Sequence, residues 1–147
     1  MDLPASVFSS MIKERAMYYF SAKKLIITDV PHHFIVIKKL SGGVLILSCC
    51  TSKFDTIYKF ISLKKFPEET MVTIPAYTED TKLTKHTYVD CNKYFEYTIR
   101  EFEILYKKGG IKCTGTLPEE YYEKIVYGMI VSPEIEEELK DELKKGI

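Results

Sequence analysis

Short apolar runs separated by polar or glycine-marked breaks dominate the middle of the chain. "HFIVIKKL" (33–40) and "GVLILSCC" (43–50) flank Ser41-Gly42-Gly43, where glycine's tolerance of positive φ predicts a tight hairpin turn. "LIITDV" (25–30), "MVTIPA" (71–76), "TYVDC" (87–91) and "YFEYTI" (94–99) continue the pattern, and Pro75 suits an edge strand. Six short strands with modest connections predict a small barrel or a strongly bent sheet. Ahead of them, Val7, Phe8, Met11, Ile12, Ala16, Tyr19 and Phe20 recur at spacings of three and four, which predicts an amphipathic helix over 5–20.

Residues 52–66, "SKFDTIYKFISLKKF", are too long for a hairpin loop and read as a cover over one opening of the barrel, with a single helical turn. "EFEILYKKGGIKC" reads either as a helix ended by Gly109-Gly110 or as two strands joined at that pair, and the balance tips to the strands. Thr116 followed by Glu119 has the form of a capping box, with Pro118 in the first turn of a helix that carries Tyr121, Ile125 and Met129 on one face. Ser132-Pro133 starts a second helix, whose narrow stripe of Ile135, Leu139 and Leu143 packs on the barrel or on another subunit.

The length of 147 residues suits one domain that buries its core without disulfides or metal. Lysine plus arginine and aspartate plus glutamate number 21 each, so net charge makes no case for nucleic acid or a membrane surface. The distribution is uneven, however. Residues 23–65 are lysine-rich with only Asp29 and Asp55 as acids, whereas the C-terminal third is acidic, which permits a basic face on the front half. The N-terminus lacks a basic start followed by an apolar run, and no stretch reaches the roughly 20 apolar residues of a membrane span, so a cytoplasmic chain without a signal peptide is expected. Four cysteines then read as reduced thiols.

Candidate chemistry is sparse. His33, Cys49 or Cys50, His86 and Cys91 are zinc-ligand types, but they lack ligand-pair spacing and lie on separate segments, so no metal or other cofactor is expected. A cysteine nucleophile has no local signature, and no phosphate-binding glycine loop occurs. Strand ends are more informative. If the hairpin is centred on Gly42, His33 lies opposite residue 51, and Thr51-Ser52-Lys53 gather at its rim. An imidazole, two hydroxyls and an ammonium are the groups that cut RNA without metal: a base for the 2′-hydroxyl, an acid for the leaving 5′-oxygen, and donors for the phosphorane. Taken singly, each is an ordinary strand-end residue.

The order of these segments resembles the MazF/PemK/Kid-like family of toxin endoribonucleases over roughly residues 22–143. "KKLIITDVPHHFIVI" looks like the family's opening strand, loop and next strand, and "GVLILSCCTSK" is similar to the strand ending in its threonine–serine element. "KLTKHTYVDCNKYFEYTIREF" looks like the later serine-bearing segment, with Thr87 in the serine position, and "GTLPEEYYEKIVYGMIVS" resembles the closing turn and helix. The resemblance implies an α+β fold, a small SH3-like β-barrel over 22–115 followed by two C-terminal helices over 116–147; with the helix read at the N-terminus, over 1–21, these make one domain of 1–147. It implies a metal-independent endoribonuclease toxin acting on single-stranded RNA, a cognate antitoxin and a homodimer. His33, Thr51, Ser52 and Lys53 would then be catalytic, with His32, His86, Thr87 and Tyr88 contacting RNA. Two departures stand out: no arginine marks the rim, and the N-terminal helix is additional. The missing arginine and the balanced charge favour an alternative, a non-catalytic small-barrel module that binds protein or nucleic acid.

Overall fold

The computed structural model describes residues 3–22 and 30–145. The hairpin is its spine. Strand β2 (His32–Leu40) and strand β3 (Val44–Thr51) pair antiparallel across a 3-10 turn at Ser41–Gly43, with Gly42 and Gly43 at φ of 81° and 78°. Phe34 to Ile37 and Leu45 to Ser48 are all buried. Such unbroken burial requires cover on both faces of the sheet, and helices supply it.

Strand β1 (Ala16–Phe20) lies beside β2, and strand β7 (Ile111–Thr116) lies beside β1. On the far side, the C-terminal end of β3 pairs with β5 (Thr87–Asp90), which in turn pairs with the edge strand β4 (Met71–Ile74). The earlier part of β3 pairs with β6 (Phe95–Thr98). The order is β4-β5-β3-β2-β1-β7, entirely antiparallel in its described pairings.

One face carries α1 (Ala5–Ser10) and α3 (Ile99–Lys107), whose Phe8 and Phe102 join Tyr18, Phe20, Phe34, Val36, Leu45 and Leu47 in an aromatic-rich core. The other face carries α4 (Glu119–Val131) and α5 (Glu137–Lys144), which bring Ile125, Met129, Leu139 and Leu143 onto Met17, Ile35, Ile37, Ile46 and Val89. Helix α2 (Phe54–Lys64) lies over β4 and β5 and buries only Ile57 and Ile61. Among the described residues no helix is long and apolar enough to cross a membrane.

The chain is thus α+β as expected, but several finer expectations are corrected. The sheet is open, ending at β4 and β7, and is not a closed barrel. The helix expected over 5–20 stops at Ser10, Arg15 takes φ of 76° in the turn that follows, and residues 16–20 are β1, with Met17 on one core and Tyr18 on the other. A spacing of three and four had matched a strand buried on both sides. Residues 54–64 form three turns of helix where one was expected. The two-strand reading of 101–113 fails in its first half, which is α3.

That helix starts with a reciprocal capping box: Glu101 N–H donates to Thr98 Oγ1 at 3.0 Å, and Thr98 N–H donates to Glu101 Oε1 at 2.9 Å. It ends in a Schellman turn, with Gly110 N–H on Leu105 O and Gly109 N–H on Tyr106 O. Thr116, the expected cap of α4, belongs to β7, and Pro118 holds the N-cap position. Helix α5 begins at Glu137, not beside Ser132, whose hydroxyl instead donates to Asn92 Oδ1 and accepts from Glu134 N–H. The Ile135, Leu139 and Leu143 stripe is spent inside the chain, so it offers no dimer face. The strand expected at 25–30 falls largely on residues 25–29, outside the described residues.

Candidate functional site

At the His32 end of the hairpin lies a cleft of about 480 Å³. Three segments wall it: Val30 to His33 where the chain enters β2, Cys50 to Lys53 where it leaves β3, and Lys82 to Lys85 in the loop before β5 with Thr87 at the start of that strand. Tyr19 forms part of the floor. The expected juxtaposition of His33 with Thr51, Ser52 and Lys53 is therefore present, and His32 and Thr87 join it. Register explains how close the hairpin arithmetic came. Lys38 pairs with Ile46, but a bulge at Ile37 shifts the ladder, so Phe34 pairs with Cys49 and His33 comes level with Cys50, one residue short of Thr51.

Each wall has a local reason for its shape. His33 is half-buried, its Nδ1 is 3.1 Å from Thr114 Oγ1, and its ring meets the Tyr19 ring edge-on at 4.7 Å. These contacts fix the imidazole and leave Nε2 as its nitrogen for a ligand. Burial, reinforced by the neighbouring His32, lowers the His33 pKa below its ordinary value of 6.5, so the ring is neutral at pH 7. His32 places Nδ1 2.8 Å from Val30 O. Thr51 Oγ1 accepts from Lys53 N–H at 3.2 Å, a tight turn that ends β3 and sets Lys53 as the N-cap residue of α2.

The third wall is a loop that folds on itself. Tyr77 N–H donates to Leu83 O, Leu83 is buried in the α4–α5 core, and Thr87 Oγ1 donates to Lys85 O. Its outer edge is held by β7: Thr116 N–H donates to Asp80 O at 2.9 Å, beside Gly115 at φ of 143°, where an added Cβ would stand 2.1 Å from that same carbonyl oxygen.

Electrostatics are one-sided. Lys53, Lys82 and Lys85 line the cleft with two histidines and the hydroxyls of Thr51, Ser52, Thr84 and Thr87, and no described lining residue is aspartate or glutamate. Lys82, Thr84 and Lys85, together with the positioning residues Tyr19 and Thr114, were missed in the sequence; the two lysines three residues apart in "TKLTK" (81–85) were the available signal. Two expected RNA contacts lie outside the cleft. His86 Nδ1 accepts from Ala76 N–H at 3.3 Å and so helps close the loop, while Tyr88 packs its ring 5.2 Å from Phe54.

The thiols of Cys49, Cys50 and Cys91 are poor nucleophiles. Burial pushes the Cys49 pKa up to about 12 and raises those of Cys50 and Cys91 as well, so all three stay protonated at neutral pH. His33, Cys50, His86 and Cys91 do not converge: among the described residues no group of three or more His, Cys, Asp or Glu side chains is placed to hold a metal ion. Arginine is absent from the described lining, and Arg15 donates instead to Leu117 O at 2.8 Å. Compared with known proteins, the chain matches no family model and no curated sequence.

Proposed function

We propose that the cleft binds the backbone of single-stranded RNA and cleaves it without metal, as an endoribonuclease toxin of MazF/PemK type that a cognate antitoxin holds in check. The observation that carries this reading is the meeting of a neutral, oriented imidazole with a threonine–serine–lysine turn in a cleft whose described lining bears ammonium groups and no carboxylate. The order of the motifs along the chain supports the family and its SH3-like relationship, in which the enzyme acts as a homodimer.

In this mechanism His33 Nε2 takes the proton of the ribose 2′-hydroxyl, and the 2′-oxygen attacks phosphorus. Hydroxyls of Thr51 and Ser52 donate to the non-bridging oxygens, and the Lys53 ammonium balances the charge that grows on the phosphorane. His32, on the other side of the phosphate, gives a proton to the departing 5′-oxygen. The P–O5′ bond breaks, leaving a 2′,3′-cyclic phosphate and a free 5′-hydroxyl. His33 suits the base role because its lowered pKa leaves its lone pair free at pH 7; a group so shifted is a poor acid.

A second reading is favoured by one observation, the absence of arginine from the described lining: the cleft holds RNA and cuts nothing. Purified protein incubated with single-stranded RNA and a chelator separates the two. The catalytic reading expects cyclic-phosphate ends that vanish in His33→Ala and with a 2′-deoxy residue at the scissile position. Folded, partner-free wild type that retains RNA on a filter yet leaves it whole would establish the binding module instead.

A further inference from the structure

The outer face of α2 is not the polar surface that an exposed helix normally shows. Phe54 is 39% exposed and Tyr58, one turn on, is 53% exposed, and their rings stack at 5.3 Å with planes 22° apart. On the other side Phe54 meets Tyr88 at 5.2 Å. Three rings therefore form a row. No ring of the row lines the cleft, but the row adjoins it in the chain at two points, since Lys53 precedes Phe54 and Thr87 precedes Tyr88, and both Lys53 and Thr87 line the cleft. Strand alternation turns Tyr88 to the sheet face opposite Thr87, so the row rounds the end of β3 and continues along α2.

The charges around the row match those of the cleft. Helix α2 carries Lys59 and Lys64 with a single acid, Asp55, and Lys53 stands at its N-cap. Aromatic faces accept any base by stacking, while ammonium groups follow the phosphates; that pairing is how sequence-tolerant single-strand sites are built. Phe54 and Tyr58 lie nearly parallel 5.3 Å apart, and Tyr88 stands 5.2 Å from Phe54 with its plane tilted by 58°, so the row offers ring faces to successive nucleotides of a strand whose phosphate is held in the adjoining cleft.

We propose that Tyr88, Phe54 and Tyr58 form a stacking platform for the bases adjoining the phosphate held in the cleft. The occupant is single-stranded nucleic acid, and the inference rests on reading the cleft as an RNA site. The platform adds affinity and little sequence preference, because stacking does not read base edges. Phe54 and Tyr58 act in binding, while the proton transfers stay with the cleft.

The chain has no tryptophan, so Tyr58→Trp places its sole indole in the row, where it is excited at wavelengths that tyrosine does not absorb. Adding a short, uncleavable all-deoxy single strand to that variant should quench its emission, whereas an abasic strand of equal length and charge should not. In cleavage assays Phe54→Ala and Tyr58→Ala should each raise KM about tenfold at unchanged kcat, and Tyr58→Phe should behave as wild type. Quenching that is absent, or equal for the two strands, overturns the platform and leaves the row to a protein partner. Base-dependent quenching by a protein that cuts no RNA sustains the platform while refuting catalysis. Cleavage with KM unmoved in both alanine variants does the reverse.

Discussion

Two clefts of equal size, about 480 Å³ each, sit near opposite ends of β2. One is built around His32 and His33, and the other around Leu40, Tyr94 and α5. At ~3.3 Å per residue the strand ends are roughly 26 Å apart, beyond the ~8 Å screening length at physiological salt. Their chemistry is opposite. The second cleft is lined by Glu96, Glu136, Glu138, Asp141 and Glu142 with Lys145 alone against them, and Lys145 is itself paired with Glu142 at 2.9 Å. There Tyr94 donates its hydroxyl to Glu136 and holds that carboxyl below its ordinary pKa. Cavity size therefore says nothing about which cleft receives a polyanion, whereas the sign of the lining says a good deal. A net charge of zero conceals this segregation, which is why the total in the composition pointed to no partner.

The comparison can be broken most severely at the imidazole. His33→Ala should lower the cleavage rate by about 10³-fold, within the ~10² to 10⁴ that a positioned base supplies, while Glu136→Gln in the acidic cleft should change it by less than about twofold. Equal losses from both variants would show that the rate follows general stability and not the cleft. The next largest effect is structural. Gly115→Ala forces a side chain into the Asp80 carbonyl at a positive φ, so it should cost about 2 kcal/mol or more in urea unfolding. It should also weaken RNA retention by freeing the loop that carries Lys82 and Lys85, without touching α5.

Smaller effects sharpen the contrast. Replacing Lys53, Lys82 and Lys85 together by alanine should flatten the dependence of log affinity on log salt by about 2 units, near the ~0.7 per phosphate expected for a single strand. Glu138→Lys should leave that slope unchanged.

The smallest concerns protons. Because the folded His33 pKa lies below the unfolded value near 6.5, the unfolded chain takes up a proton first as pH falls. Stability should therefore decline as pH drops from about 6.5 toward the folded pKa, and His33→Gln should remove that part of the decline. On the proposed mechanism, with the neutral His33 ring as base, cleavage should persist to a pH below 6.5.

Much of this was legible in the residues, for identifiable reasons. The hairpin was, because Ser41-Gly42-Gly43 admits little else, and it carried His33 to within one residue of its true partner. The bulge at Ile37 left no mark in the sequence, because any residue can occupy it. The two-faced burial was legible as well: "HFIVI" and "GVLIL" lack the alternation of a strand with a wet side, which argues for helices on both faces and against a simple barrel. Helix α3 was misjudged because Ile, Phe and Tyr favour strands, although Thr98 and Glu101 spelled out its cap. The basic loop was hidden by distance in the chain, since Lys82 and Lys85 approach His33 through the pairing of β3 with β5 and the contact of Asp80 with β7.

The chain's three histidines give the most direct test of where the polyanion sits. His32 and His33 line the cationic cleft, while His86 is engaged with Ala76 outside it. Ring-proton spectra recorded while an uncleavable single strand is added should show the His32 and His33 resonances moving together and saturably, with His86 shifting far less. Movement of His86 alone, or saturable binding that leaves all three rings unmoved, would contradict the assignment of the cleft as the RNA site.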